Sequence, residues 1–221
     1  DDVVVTKVGK DFQEYMIKQD PIVVTKGIRY LSQWTGFTIP DFPCIINKTI
    51  TGCGFTEYCI TNSENIILCS PRKILLENKE EQHENQVYYV RNDLDKSPKV
   101  DIDLNKTTNK KELESEATLS KEEIKKSVRN LKLRIQAYIN SCIMRNEPAK
   151  ILVTYDSFRL VKDAIKELSS QNVFLSDFRV VVDEWQAIFV DSTFKSDTEL
   201  EFIYQLSDLQ KVCFVSATPY I

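Results

Sequence analysis

The sequence predicts an α/β fold, a mostly parallel sheet with helices on both faces. Short β-branched runs recur along the 221 residues, and helical patterns separate them. The runs are continuous rather than alternating, as in strands covered on both faces. Strand and helix alternate from about residue 44 to the last run, which points to a doubly wound sheet.

Residues 1–43 read as an N-terminal extension packing on the main domain, with Ile28, Leu31 and Trp34 lining a short helix after Gly27. The expected strands centre on Cys44–Ile46, Ile66–Leu68, Val87–Val90, Ile151–Val153, Val180–Val182 and Val212–Val215. Helices are expected from near Thr56, over 72–85, over 156–170 and over 197–208. In 156–170, Phe158, Val161, Ala164, Ile165 and Leu168 recur at helical spacing. Residues of about 91–148 read as an insertion. Its first part, to about Lys126, is rich in Lys, Asp, Glu, Asn and Thr, which marks a loop or partly disordered stretch. A helix follows, with Ile124, Val128, Leu131, Ile135, Tyr138 and Cys142 near one face and Ser120 with Glu123 as a capping box.

An apolar fraction of 42% and a charged fraction of 28% are those of a soluble globular chain. No apolar run approaches the roughly 20 residues of a membrane span, and no basic-then-apolar segment stands at the start, so a signal peptide is not expected from the pattern. The six cysteines include no Cys-x-x-Cys pair and mostly sit in apolar runs, so free thiols in a reducing, cytoplasmic compartment are expected. The single histidine, His83, lies among charged residues and reads as solvated. One histidine excludes zinc sites that need two and disfavours a histidine-based triad. A net charge of −4 gives no domain-wide footprint for nucleic acid, which leaves a local basic strip or a partner to supply one.

Three segments carry chemistry. In the first, Lys48-Thr-Ile-Thr-Gly-Cys-Gly-Phe-Thr56 follows a strand and opens a helix. Backbone N–H groups of such a turn can cradle an anion, and Gly52 and Gly54 let the chain approach a phosphate. The ordinary reading is a simple turn. In the second, Val180-Val-Val-Asp-Glu-Trp-Gln186 runs a strand into adjacent carboxylates, at the sheet end where α/β folds bind ligands. Asp183 could hold Mg²⁺ and Glu184 could polarise water; an acidic helix start is the alternative. In the third, Phe214-Val-Ser-Ala-Thr-Pro219 delivers hydroxyls to a strand end.

In this order the segments resemble the first RecA-like domain of superfamily 2 (DEAD/DEAH-type) helicases. Gly52-Cys-Gly-Phe-Thr56 is similar to the family's phosphate-binding (P-loop) sequence, with Phe55 where lysine is expected. Asp183-Glu-Trp-Gln186 resembles its Asp-Glu box, and Ser216-Ala-Thr218 matches its coupling motif. Ser70-Pro-Arg-Lys73 and Thr154-Tyr-Asp-Ser157 resemble its nucleic-acid segments. The resemblance covers roughly residues 44–219. It implies an ATP-dependent helicase or translocase with ATP and Mg²⁺ as cofactors. DNA or RNA and a second RecA-like domain or subunit would be its partners, with no membrane. Thr49, Thr51, Gly52, Cys53, Gly54, Phe55 and Thr56 would hold nucleotide, and Thr56 and Asp183 the metal. Glu184, Gln186 and Lys48 would be catalytic, with Lys48 standing in for the missing lysine. Ser216 and Thr218 would couple, and Arg72, Lys73, Thr154 and Ser157 would meet nucleic acid. Gln33 is the candidate for a nucleotide-base contact. Without a phosphate-neutralising lysine, the alternative is a non-catalytic scaffold module.

Overall fold

A computed structural model describes residues 29–48, 51–91, 121–190 and 192–217. Among them six parallel strands form one sheet: β1 (Cys44–Asn47), β2 (Asn65–Ser70), β3 (Tyr88–Tyr89), β4 (Lys150–Thr154), β5 (Phe178–Asp183) and β6 (Val212–Ser216). Their order across the sheet is β1-β6-β5-β2-β4-β3. The helices are α1 (Phe55–Thr61), α2 (Lys73–Gln82), α3 (Lys121–Arg145), α4 (Phe158–Glu167), α5 (Ala187–Val190) and α6 (Ser192–Leu206).

The apolar runs become strands because both their faces are covered. Within β2, Ile66 and Leu68 join one core while Ile67 and Cys69 join the other. In β5, Val181 faces the first core, and Val180 and Val182 the second. Helices α1 and α2 cover the first face, together with Phe37 and Ile39 of the N-terminal segment. Helices α3, α4 and α6 cover the second, contributing Ile135, Phe158 and Phe202 among others. Burying one such side chain stabilises by about 1.5–3 kcal/mol.

Within the stretch 91–148, the expected helix forms as α3, and its Leu131, Ile135, Ile139 and Cys142 are buried in the core. Helix α3 is part of the layer that connects β3 to β4. Its proposed cap Ser120 and the charged segment 92–120 lie outside the described residues, as do residues 1–28. The strand expected over Val87–Val90 narrows to Tyr88–Tyr89. His83 is buried, not solvated: it caps the C-terminus of α2, and its Nε2 lies 2.9 Å from Oε2 of Glu57 on α1. A charged neighbourhood in sequence did not reveal that α2 folds back beside α1.

All six cysteines are free. Cys44 and Cys213 face each other in register on β1 and β6. A hydrogen bond from Cys213 lowers the Cys44 thiol pKa, and the same contact, helped by burial, raises that of Cys213. No described helix is long and apolar enough to cross a membrane.

Candidate functional site

In a wholly parallel sheet every strand ends at the same edge, so residues far apart in sequence meet there. The order β1-β6-β5-β2 sets four of the marked segments side by side. Asn47 pairs with Ser216, Asp183 with Val215, and Cys69 with Val182, so these strands end nearly level.

The centre of this edge is an ion pair. Nζ of Lys48, one residue beyond β1, lies 2.7 Å from Oδ1 of Asp183 at the end of β5. The two side chains are only 13% and 4% exposed. The Lys48 N–H also donates to the Ser216 carbonyl at 2.8 Å, which fixes the base of the loop to β6. Asp183 Oδ1 accepts a second bond, from the Glu184 N–H at 3.1 Å.

Glu184 sits in the left-handed region, with φ of 56°. Among the described residues, the other three non-glycine residues with positive φ are Asn85, Asn146 and Asn172, the residue type that tolerates it best. A glutamate there is strained, and such strain concentrates where function fixes the backbone. Its side chain reaches Arg72 at the start of α2, Oε2 to Nε 3.0 Å. Gln186 continues the turn, whose Ala187 N–H donates to the Glu184 carbonyl at 2.8 Å.

The loop after β1 leaves through two left-handed glycines, Gly52 (φ 75°) and Gly54 (φ 80°). Gly54 also accommodates a close neighbour: a Cβ there would lie 2.9 Å from Cβ of Tyr30. The turn Leu31–Gln33 docks against the loop, with the Leu31 N–H donating to the Cys53 carbonyl at 2.8 Å. Gln33 is thereby brought beside the loop, its Oε1 accepting from the Tyr30 N–H at 3.3 Å. Thr51 and Gly52 are exposed, and Thr56 is half-buried on the first turn of α1.

Phe55 has to be reassigned. Its side chain is 2% exposed and packs against Phe37 and Tyr58, at centroid distances of 6.2 and 6.4 Å. Residue 55 therefore points into the core, and only its backbone can serve a ligand in this conformation. A lysine in its place would bury an ammonium among aromatic rings, at a cost of several kcal/mol or a large pKa drop. Lys48, by contrast, already stands at the strand edge.

The second half of the expected nucleic-acid surface is also revised. Arg72 and Lys73 are exposed, but Thr154 and Ser157 are buried, and Ser157 Oγ has no hydrogen-bond partner. Thr154 is the last residue of β4 and Ser157 closes the turn after it, and both side chains stay in the core in this conformation. The residue of that segment that reaches the site is the intervening Tyr155, whose hydroxyl donates to the Asp183 carbonyl at 2.5 Å. Ser216 is buried beside the loop base. Thr49 and Thr218 lie outside the described residues.

Among the described residues no group of three or more His, Cys, Asp or Glu side chains is arranged to hold a metal ion by itself. That is compatible with Mg²⁺, which is usually held by one or two protein ligands together with substrate phosphates and water. Comparisons with protein-family models, curated proteins and solved structures find no match for this chain.

Proposed function

We propose that this chain is a nucleoside triphosphatase domain of the helicase or translocase type. In this reading it works with a second domain and with DNA or RNA. The observation that carries the reading is the Lys48–Asp183 contact, which joins the glycine loop to the Asp-Glu strand end across β6. A lysine and a carboxylate held apart from bulk water are what a Mg-triphosphate needs, one for phosphate and one for the cation.

The backbone of Thr51, Gly52, Cys53 and Gly54, with Lys48, would hold the phosphates, and Thr56 and Asp183 would hold Mg²⁺. The bound ion would neutralise charge on the phosphate oxygens. Glu184 would orient a water and accept its proton. Glu184 is now engaged by Arg72, an exposed side chain that a nucleic-acid phosphate could also bind. A strand drawing Arg72 away would release the carboxylate, which ties polymer binding to hydrolysis.

The test is titration of the chain with a fluorescent ATP analogue, with and without Mg²⁺. Hydrolysis is then measured with polynucleotide present. Mg²⁺-dependent binding is expected, and Lys48→Ala should weaken it at least tenfold, about 1.4 kcal/mol. Absence of binding by the parent chain would sink the enzyme reading and leave the scaffold. The core position of Phe55 favours that second reading, because the loop lacks its usual cation.

A further inference from the structure

We infer that Tyr155 is a positioning residue for the Asp183–Glu184 pair, acting through the Asp183 carbonyl. Tyr155 follows β4, and β4 lies two places from β5, with β2 between them. Its hydroxyl nevertheless passes the end of β2 and donates to the Asp183 carbonyl at 2.5 Å, in a buried contact. The bonded carbonyl belongs to the peptide that links Asp183 to Glu184. That peptide sets the entry into the one left-handed glutamate among the described residues.

The phenol is itself held. Its ring stacks on Phe202 of α6, with centroids 4.6 Å apart and planes 15° apart, and Phe158 meets Phe202 edge-on at 5.5 Å. Tyr155 is thus fixed by a rigid aromatic group on one side and fixes a strained turn on the other. Within the turn, Glu184 N–H donates to Asp183 Oδ1, Ala187 N–H to the Glu184 carbonyl and Ile188 N–H to the Trp185 carbonyl, while Lys48 and Arg72 reach its two carboxylates from other elements. Local bonds alone hold left-handed glutamate poorly, since strain persists only where surrounding structure over-determines it. The tyrosine adds a backbone contact to this turn from the far side of β2. In the nucleotide-hydrolysis reading, on which the kinetic arm of the test rests, it keeps the Mg²⁺ ligand and the water-orienting carboxylate in fixed relation.

Tyr155→Phe removes the hydroxyl and keeps the stack. Hydrogen exchange on the 221-residue chain should quicken about tenfold or more at the Glu184, Ala187 and Ile188 amides. Exchange at Val180–Val182 should stay unchanged. Phe202→Leu, which loosens the ring but leaves the hydroxyl, should give a smaller rise at the same amides. With Mg-ATP, Tyr155→Phe should lower kcat about tenfold at unchanged KM. Unchanged exchange at the three amides, or an equal rise throughout β5, overturns the proposal. So does an unchanged kcat in an active parent. A parent that neither binds nor hydrolyses ATP defeats the proposed function alone, and the exchange pattern then decides the role of Tyr155.

Discussion

An alanine at Gly54 would need a left-handed backbone and would drive its Cβ to 2.9 Å from Tyr30 Cβ. An alanine at Gly52 meets only the first difficulty, because nothing lies within 4 Å of its Cβ. Gly54→Ala should therefore cost about 2–3 kcal/mol and Gly52→Ala about 1 kcal/mol. Urea denaturation of the two variants checks the ranking, and equal midpoints would contradict it. The sequence marked both glycines as points where the backbone can approach a phosphate, with a simple turn as the ordinary reading. It did not reveal that the second one also receives the turn at Leu31. Nor did it reveal the direction of Phe55: a motif aligns positions, while the fate of a side chain depends on what packs beside it, here Phe37 from an earlier segment.

Helix α1 is tied to β4 by a buried lysine. Lys150 Nζ donates to the Cys59 carbonyl at 2.9 Å, to the Glu64 carbonyl at 2.6 Å and to Asn62 Oδ1. Burial pushes its pKa down to about 8, against about 10.4 in an unfolded chain. Between those values the unfolded chain binds more protons than the folded one. The penalty for burying the charge is full below about pH 8 and is relieved as pH rises towards 10.4, so this contribution to stability increases with pH. Relative to Lys150→Met, the parent should gain on the order of 1–2 kcal/mol between pH 7.5 and 9.5. Urea midpoints at the two pH values measure it, and a constant difference would show that Lys150 keeps its proton. The strands that flank Lys150 were legible because coverage on both faces leaves continuous apolar runs. Tyr155 was not legible: its partner is two strands away, and strand order is not written in any local pattern.

The whole molecule depends on its N-terminal segment more than an extension would suggest. Phe37 and Ile39 are core residues, the Tyr58 hydroxyl donates to the Phe37 carbonyl at 3.1 Å, and Arg179 of β5 pairs with Asp41 at 2.7 Å. A chain starting at Asp41 would lose Phe37 and Ile39, together about 4–5 kcal/mol of burial, much of a typical domain's stability. Its thermal unfolding, followed by circular dichroism, should be broad or already complete at 25 °C; a cooperative transition near that of the parent would refute this. The doubly wound sheet was foreseeable from alternation alone. The order that brings Lys48 to Asp183 was not, because two rising and three returning crossovers decide it.

Glu184 gives the molecule a conflict between durability and use. Its backbone conformation suits asparagine or glycine, and substituting either should raise the melting temperature, by the equivalent of about 1 kcal/mol. The same change removes the carboxylate from the strand edge. A laboratory selection for heat resistance alone would therefore favour loss of Glu184, whereas, in the proposed nucleotide-hydrolysis reading, a selection that demanded turnover as well would keep it. Running both on one library of position 184 would separate what the fold prefers from what the site requires.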